Sequence, residues 1–193
     1  MVNRSGRARD TAIDDRVLHA AGRHLAQGGY DAMSVASIAA EAGTTRQALY
    51  RRWPTKADLA AAVVEQLADD RVGAGSADPL GDLIRELTDF QRGVSRRGRL
   101  SLVGTMLQDT TDADVRARYR ESVVAPRRRR IRAILERARA LGMIDDDADF
   151  DVAVTMATGC WYGRELAGEQ VPPDWPRRSA TLVWRAVGGV IGG

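Results

Sequence analysis

The stretch SVASIAAEAGTTRQALYRRWPTK, residues 34–56, contains two short helical patterns separated by a glycine. Apolar residues of the first pattern recur at the spacing of one helix face, at Val35, Ile38, Ala39 and Ala42. Gly43 follows this pattern, and glycine just beyond a helix end readily adopts the left-handed backbone that closes the helix. The stretch therefore predicts a helix, a tight turn and a second helix.

Hydroxyl residues and a proline mark the ends of these helices. Ser34 can cap the first helix, Thr44 or Thr45 can cap the second, and Thr55 can cap a third helix that follows. The residue before Pro54 is pushed out of the helical region, so the second helix should end there. A helix, a glycine turn and a short helix together form the helix-turn-helix arrangement.

The second of these helices leaves polar residues outside that suit a DNA major groove. Arg46 can donate two hydrogen bonds to a guanine edge, and Gln47 can pair with an adenine edge. Residues with hydroxyls or cations that suit phosphates are Thr44, Thr45, Tyr50, Arg52 and Lys56, and Ser34 completes the predicted DNA-binding set. The alternative is three helices of an ordinary all-α protein whose polar residues are only solvated.

Residues 34–56 resemble the DNA-binding motif of the TetR family of transcriptional regulators. The matching elements are Ile38-Ala39, Ala42-Gly43, Leu49-Tyr50 and Trp53-Pro54-Thr55-Lys56, and the similarity extends from about Asp14 to about Glu65. Gln47 stands where many members carry glycine. The resemblance implies double-stranded operator DNA as a partner. It also implies a three-helix helix-turn-helix domain over residues 1–58 and a helical ligand-binding and dimerisation domain over residues 59–193.

The rest of the chain keeps helical patterns and shows no strand pattern, so we expect an all-α protein of about nine helices. The predicted helices cover residues 11–27, 34–42, 45–53, 55–72, 79–95, 99–108, 112–141, 149–167 and 175–190. Pro126 should kink or divide the long helix. Residues 1–10 are predicted to be a tail, or an arm that reaches a minor groove through Arg4, Arg7 and Arg9. The arginine run at residues 127–130 is predicted to be a solvated helix face.

Charge and composition indicate a DNA-binding protein of the cytoplasm. Residues 1–60 contain nine Lys/Arg and six Asp/Glu, whereas residues 61–193 contain twenty of each, so the net charge of +3 lies in the first segment. That segment should attract a polyanion. The chain lacks an apolar run long enough to span a bilayer, and its basic N-terminus lacks the apolar segment of a secretion signal.

The inventory of reactive residues argues against an enzyme. His19 and His24 both fall in the first helix, and Cys160, the single cysteine, falls in an apolar helix. Zinc, phosphate-loop and nucleophile-elbow motifs are absent from the sequence. We therefore predict no catalytic residue, no metal site and no cofactor. The second rival is a ligand- or partner-binding protein of the same fold without operator binding.

The two last predicted helices are too apolar for a bundle that buries one face of each. Val152 to Gly163 contains no charged residue, and a helix apolar all round is buried on more than one side. The resemblance implies that these two helices form a homodimer, and Trp175 and Trp184 are expected at that interface. The alternative is the central helix of a monomer. A two-fold dimer would read a palindrome with recognition helices about 34–36 Å apart.

A small-molecule effector is implied by the same resemblance. Methionine and flat aromatic side chains suit an apolar or aromatic ligand, and the predicted ligand-binding residues are Phe90, Met106, Tyr119, Met156, Cys160 and Trp161. Such residues also fill ordinary cores. The expected mechanism is repression: the free dimer binds its operator, and the effector shifts the helix at residues 99–108 against the helix that begins at Thr55, which lowers DNA affinity.

Overall fold

The computed structural model describes residues 5–67, 75–96 and 98–191, with side chains described from residue 11 onward. Within these residues every regular element is a helix: α1 (Ser5–Ala32), α2 (Val35–Ala42), α3 (Arg46–Arg52), α4 (Lys56–Glu65), α5 (Pro79–Val94), α6 (Arg99–Met106), α7 (Ala113–Tyr119), α8 (Ala125–Ala140), α9 (Phe150–Leu166) and α10 (Trp175–Ala186). A π-helical turn at Arg120–Val124 joins α7 to α8. Counting that continuous run once leaves nine helices in the described part of the chain, which confirms the predicted fold class.

Helix α1 is longer at both ends than the sequence indicated. It begins at Ser5, inside the predicted tail, and reaches Ala32 with a break at Gly29, whose backbone has φ 76° and ψ −179°. Glycine is favoured there because of the positive φ, which residues with a Cβ rarely adopt. Arg4 and the side chains of Arg7 and Arg9 lie outside what the structure describes, so the minor-groove arm stays a prediction.

The long helix predicted over residues 112–141 is interrupted before Pro126 by a wider turn, and it does not end there. The Ala125 amide donates to the carbonyl of Arg120, five residues back. Pro126 has no amide to donate, and its ring would clash with the carbonyl four residues back in a regular helix. The π-helical turn widens the helix directly before Pro126, and the helical path continues into α8.

Two predicted helices end too late. Helix α4 ends at Glu65, and the predicted end at residue 72 lies outside the described residues. Helix α10 ends at Ala186, four residues before the predicted end. Gly188 takes φ 83°, and the Gly189 amide donates to the Trp184 carbonyl over 2.8 Å, which closes the helix.

The helices form two compact units, and each has its own apolar core. The first contains α1 to α4, α6, α7 and the π-helical turn, and the second contains α5, α8, α9 and α10. The predicted boundary after residue 58 falls inside α4, which contributes Leu59, Val63 and Val64 to the first core. The packing units therefore differ from the predicted division at 1–58 and 59–193, which stays a prediction about function.

The second core corrects one expectation about tryptophan. Trp175 and Trp184 are buried in it beside leucines of α5 and α8, and the Trp184 indole donates to the Val190 carbonyl over 3.3 Å. Their expected place at a dimer interface is wrong, because α10 turns the face that bears both indoles toward α5 and α9.

The predicted solvated arginine face is also wrong in part. Nε atoms of Arg127 and Arg130 each lie 3.0 Å from a carboxylate oxygen of Glu86 on α5, and all three side chains are largely buried. Arg128 and Arg129 are exposed, as predicted. Half of the run therefore joins α8 to α5 instead of facing water.

Candidate nucleic-acid interface

Local hydrogen bonds define the helix-turn-helix at each of its ends. The Ser34 hydroxyl accepts from the Ser37 amide, and the Thr45 hydroxyl accepts from the Ala48 amide over 3.1 Å. Gly43 takes the predicted left-handed conformation with φ 69° and ψ 38°, and its amide bonds back into α2. Thr55 and Asp58 form a reciprocal capping box at the start of α4. These observations confirm the predicted boundaries of α2 and α3.

Packing then fixes which face of α3 is free. Leu49 is buried in the first core with Ile38 and Ala42 of α2. The Arg16 side chain on α1 donates to the Ala42 carbonyl over 3.2 Å and so joins α1 to the end of α2. Because Leu49 holds the inner face of α3, the opposite face is left to solvent.

The free face of α3 carries the residues predicted to touch DNA. Arg46, Gln47 and Tyr50 are all exposed. Arg51, which the sequence analysis did not assign to the interface, is exposed beside them. The sequence feature that could have identified Arg51 is its position directly after Tyr50 on a short helix. The face combines two guanidinium groups, an amide and a phenol, which can donate to base edges and phosphates.

Arg52 and the helix caps have partners within the protein. Arg52 lies 2.7 Å from a carboxylate oxygen of Asp14 on α1, a pairing across 38 positions that no local pattern signals. Ser34 and Thr45 cap helices, and Thr44 is half-buried beside them. A capping hydroxyl accepts through its oxygen and keeps its own hydrogen to donate.

Lys56 is held by the end of α1. Its ammonium donates to the Asp31 carbonyl over 3.0 Å and lies 4.5 Å from the ring centre of Tyr30. Burial raises the pKa of the Tyr30 phenol, and the carboxylates of Asp112, Asp31 and Asp58 raise it further. Tyr30 therefore presents a neutral ring to the cation, and the sequence analysis had assigned it no role at this site.

The six predicted effector residues do not form one group. Met106 is buried in the first core, and Tyr119 packs against that core. Phe90 and Trp161 are together in the second core, with ring centres 5.9 Å apart. Met156 and Cys160 lie on the exposed side of α9.

Helix α9 buries one face and exposes an apolar face opposite. Met156 is 43% exposed, and Val152 and Leu166 on the same helix are exposed too. Leu182 on α10 is 63% exposed, and Val190 follows beyond the end of that helix. The alternative that α9 is the central helix of a monomer is therefore wrong, because the second unit covers only its inner face.

Among the side chains described from residue 11 onward, no three acidic, histidine or cysteine groups cluster closely enough to hold a metal ion. Within residues 5–67, 75–96 and 98–191, no helix combines the length and the apolar character needed to cross a membrane.

Comparisons with known proteins extend over nearly the whole chain. The family model "Tetracyclin repressor-like, C-terminal domain" matches residues 74–183, and "Bacterial regulatory proteins, tetR family" matches residues 17–63. An uncharacterized HTH-type transcriptional regulator of Bacillus subtilis (strain 168), YdeS, is 25% identical over 192 residues, which cover 98% of this chain and 96% of that protein.

Solved structures share the fold. A TetR transcriptional regulator from Agrobacterium tumefaciens superposes with a TM-score of 0.70 at 20% identity, covering 91% of this chain and 92% of that one. The TetR family transcription regulator SCO0332 superposes with a TM-score of 0.58 at 29% identity, covering 93% of this chain and 99% of the other.

Proposed function

Because the chain belongs to the TetR family of DNA-binding transcriptional regulators, we propose that it is a repressor that binds a palindromic operator as a homodimer. A small apolar or aromatic effector releases it. The family consists of regulators and not of enzymes. One observation carries the proposal: α3 directs Arg46, Gln47 and Tyr50 outward while Leu49 holds its other face in the core.

Each residue of the proposed DNA surface has a role suited to its chemistry. Arg46 reads a guanine edge and Gln47 an adenine edge. The hydroxyls of Ser34, Thr44, Thr45 and Tyr50, together with Arg52 and Lys56, contact phosphates. These contacts set the register of α3 in the groove.

Dimerisation follows from the apolar face of α9 and α10. Met156 and Leu182 lie in water in the single chain, and a second copy of the same face would cover them. A lone recognition helix reads only a few base pairs, whereas a two-fold dimer reads two half-sites about one helical turn apart. The proposal therefore predicts a palindrome as the operator.

Effector control rests on contacts inside the first unit. Thr105 of α6 is buried, and the carbonyls of Leu25 on α1 and Ser101 on α6 both lie 3.1 Å from its hydroxyl and share its one hydrogen. A movement of α6 would therefore pull on the helix that joins α2 through Arg16. On this proposal residues 1–58 bind DNA and residues 59–193 bind effector and partner. The protein works in the cytoplasm, where its operator is accessible.

The proposal is tested by selecting bound fragments from random DNA and measuring the affinity of the enriched sequence over a series of salt concentrations. We expect an enriched palindrome and a steep salt dependence. Arg46→Ala should relax specificity at one position per half-site at a cost of about 1–3 kcal/mol, and Lys56→Ala should lower the salt slope by about one per subunit. Arg129→Ala is the control, because Arg129 is an exposed arginine of the second unit. Enrichment of no sequence would reject operator binding and favour a ligand- or partner-binding protein.

The proposed dimer has its own test, by sedimentation over a range of protein concentrations. Met156→Asp and Leu182→Asp should each shift the protein toward monomer, because each buries a carboxylate in an apolar interface. Leu107→Asp is the matched control, since Leu107 is an exposed leucine of the first unit. Equal dimerisation by all four proteins would place the interface elsewhere.

A further inference from the structure

The indole N–H of Trp161 is a buried hydrogen-bond donor without an acceptor. The side chain is 2% exposed, and its Nε1 has no hydrogen-bond partner within the part of the chain that the structure describes. The Trp184 indole in the same core donates to the Val190 carbonyl. Native proteins pair nearly all their buried polar groups, so an unpaired buried N–H requires an explanation.

Trp161 lies in a group of aromatic rings from three stretches of the chain. The Phe90 ring centre is 5.9 Å from that of Trp161, 5.7 Å from Tyr162 and 5.8 Å from Trp175. The Trp161 ring is perpendicular to both Phe90 and Tyr162. Phe90 is 4% exposed and Trp161 is 2% exposed, so these two rings are closed to water in the free protein.

The charges around the rings favour an acceptor over a cation. The Arg127 guanidinium carbon is 5.3 Å from the Phe90 ring centre. Arg127 and Arg130 both pair with the carboxylate of Glu86, and Arg127 brings its positive charge against the Phe90 ring. Groups of aromatic rings often bind cations. Here a ligand cation would meet both this charge and the positive end of the indole N–H.

We propose that Trp161 is the hydrogen-bond donor of the effector site, and that the effector is a planar aromatic molecule with a carbonyl-type acceptor oxygen. The Trp161 Nε1–H donates to that oxygen, and the rings of Phe90, Tyr162 and Trp175 contact the planar body. This inference rests on the proposed effector binding and names the chemical class that the site takes. The inference excludes two classes of molecule as effectors, namely hydrocarbons of the same shape and organic cations.

Three probes of similar size test the class directly. 2-Acetonaphthone carries the acceptor, 2-isopropenylnaphthalene replaces its carbonyl oxygen by CH₂, and trimethyl(phenyl)ammonium is the cation. The full chain, labelled with ¹⁵N at its four tryptophan indoles, is titrated with each probe, and Trp161→Phe identifies the Trp161 signal. We expect the ketone to shift that signal downfield and to bind about tenfold tighter than the hydrocarbon, because one hydrogen bond separates them. The cation should bind weakest.

A matched variant separates the donor from the volume of its ring. Trp161→Phe should remove the tenfold preference for the ketone, and Trp184→Phe should retain it, because that indole already has an acceptor. Both variants remove the same atoms from the same core. A wild-type Trp161 signal shifted upfield by the Phe90 ring and unmoved by the ketone would show an N–H···π contact and overturn the proposal. Equal affinity for ketone and hydrocarbon, or no ketone binding, would overturn it too.

The DNA assay keeps this inference distinct from the proposed function. A protein that enriches no operator but binds the ketone through Trp161 would refute the repressor and retain the ligand class. A protein that binds its operator but shows no preference for the ketone would retain the repressor and refute the ligand class.

Discussion

The helix ends of the DNA-binding motif in the first unit and the ion pairs of the second unit are specified over different distances along the chain. In the first, short-range bonds close each helix of the DNA-binding motif, as the caps at Ser34 and Thr45 and the left-handed Gly43 show. In the second, ion pairs and aromatic contacts join residues far apart in the chain, such as Arg137 with Asp82 and Arg130 with Glu86. Caps and turns can be predicted from the sequence because their residues are neighbours, whereas pairings between residues 40 to 60 positions apart cannot.

The two units also differ in the chemistry of their exposed surfaces. The motif exposes polar residues on α3, which water solvates without cost. The second unit exposes Met156 and Leu182, which gain by being covered. One surface is therefore suited to a solvated, charged partner and the other to an apolar one.

Breaking the first core should have the largest effect on stability. Leu49→Ala removes a fully buried side chain and should lower the free energy of unfolding by about 2–5 kcal/mol. Denaturant titration of the purified protein measures the loss. Leu107→Ala, at an exposed site, should change the free energy by less than about 0.5 kcal/mol. Equal losses in the two variants would mean that α3 does not depend on this contact.

Breaking the ion pairs of the second unit should have an intermediate effect that depends on pH. Burial alone would raise the pKa of Asp82, yet hydrogen bonds from the Ser76 amide and from Arg85 hold that pKa below its ordinary value of 3.8. The folded protein thus binds this proton less readily than the unfolded chain. The resulting stability is complete above pH 3.8 and is lost as the pH falls through the lower folded value.

Asp82→Asn should therefore destabilise the protein by about 1–3 kcal/mol at pH 7 and reduce the loss of stability below pH 4. Thermal unfolding between pH 2.5 and pH 7 measures both effects. Gly43→Ala, which removes no hydrogen bond to a carboxylate, should leave the shape of the pH profile unchanged. An Asp82→Asn profile parallel to that of the wild type would contradict the assigned ion pair.

Changing the turn of the motif should cost less. Gly43→Ala forces a left-handed backbone on a residue with a Cβ and should destabilise by about 1–2 kcal/mol, although the added atom meets nothing within 4 Å. Gly104→Ala is the control, and its effect on stability should have the opposite sign. Gly104 lies inside the helix α6, and a Cβ added there would also meet nothing within 4 Å. It should stabilise by about 0.5–1 kcal/mol. Thermal melts of both variants test the pair, and destabilisation by Gly104→Ala would refute it.

Removing the Thr55 cap should cost about 1 kcal/mol in the Ala variant and little in the Ser variant, which keeps the hydroxyl. Urea midpoints of the two proteins measure the difference. A loss as large in Thr55→Ser would assign the effect to the methyl group instead of the cap.

The smallest effect belongs to the exposed pair of Arg132 and Asp151. Asp151 is 83% exposed, so Asp151→Asn should change stability by less than about 0.5 kcal/mol, and added salt should remove the difference. Denaturant titration at two salt concentrations tests this. A larger loss would mean that this surface pair resembles the buried ion pairs of the second unit.

Sequence patterns predicted the DNA-binding motif closely because its signals are local. Ser34, Gly43 and Thr45 each act on a backbone group within four or five residues. The six predicted effector residues stay a prediction as a site, and the structure places them apart: Phe90 and Trp161 are neighbouring rings of the second core, whereas Met106 and Tyr119 belong to the first. Helical periodicity identifies the inner face of a helix but not the helix that it meets. Met106, for that reason, was grouped with residues of the other unit.

The sequence by itself determined the all-α class, the order of the helices and the residues that face outward on α3, since caps, turns and periodicity operate over a few residues. Only the tertiary structure decided that Arg52 pairs with Asp14, that Lys56 rests on Tyr30 and that Trp184 is buried. Those contacts depend on where distant helices cross. A side chain selects such a partner only after packing has brought it within reach.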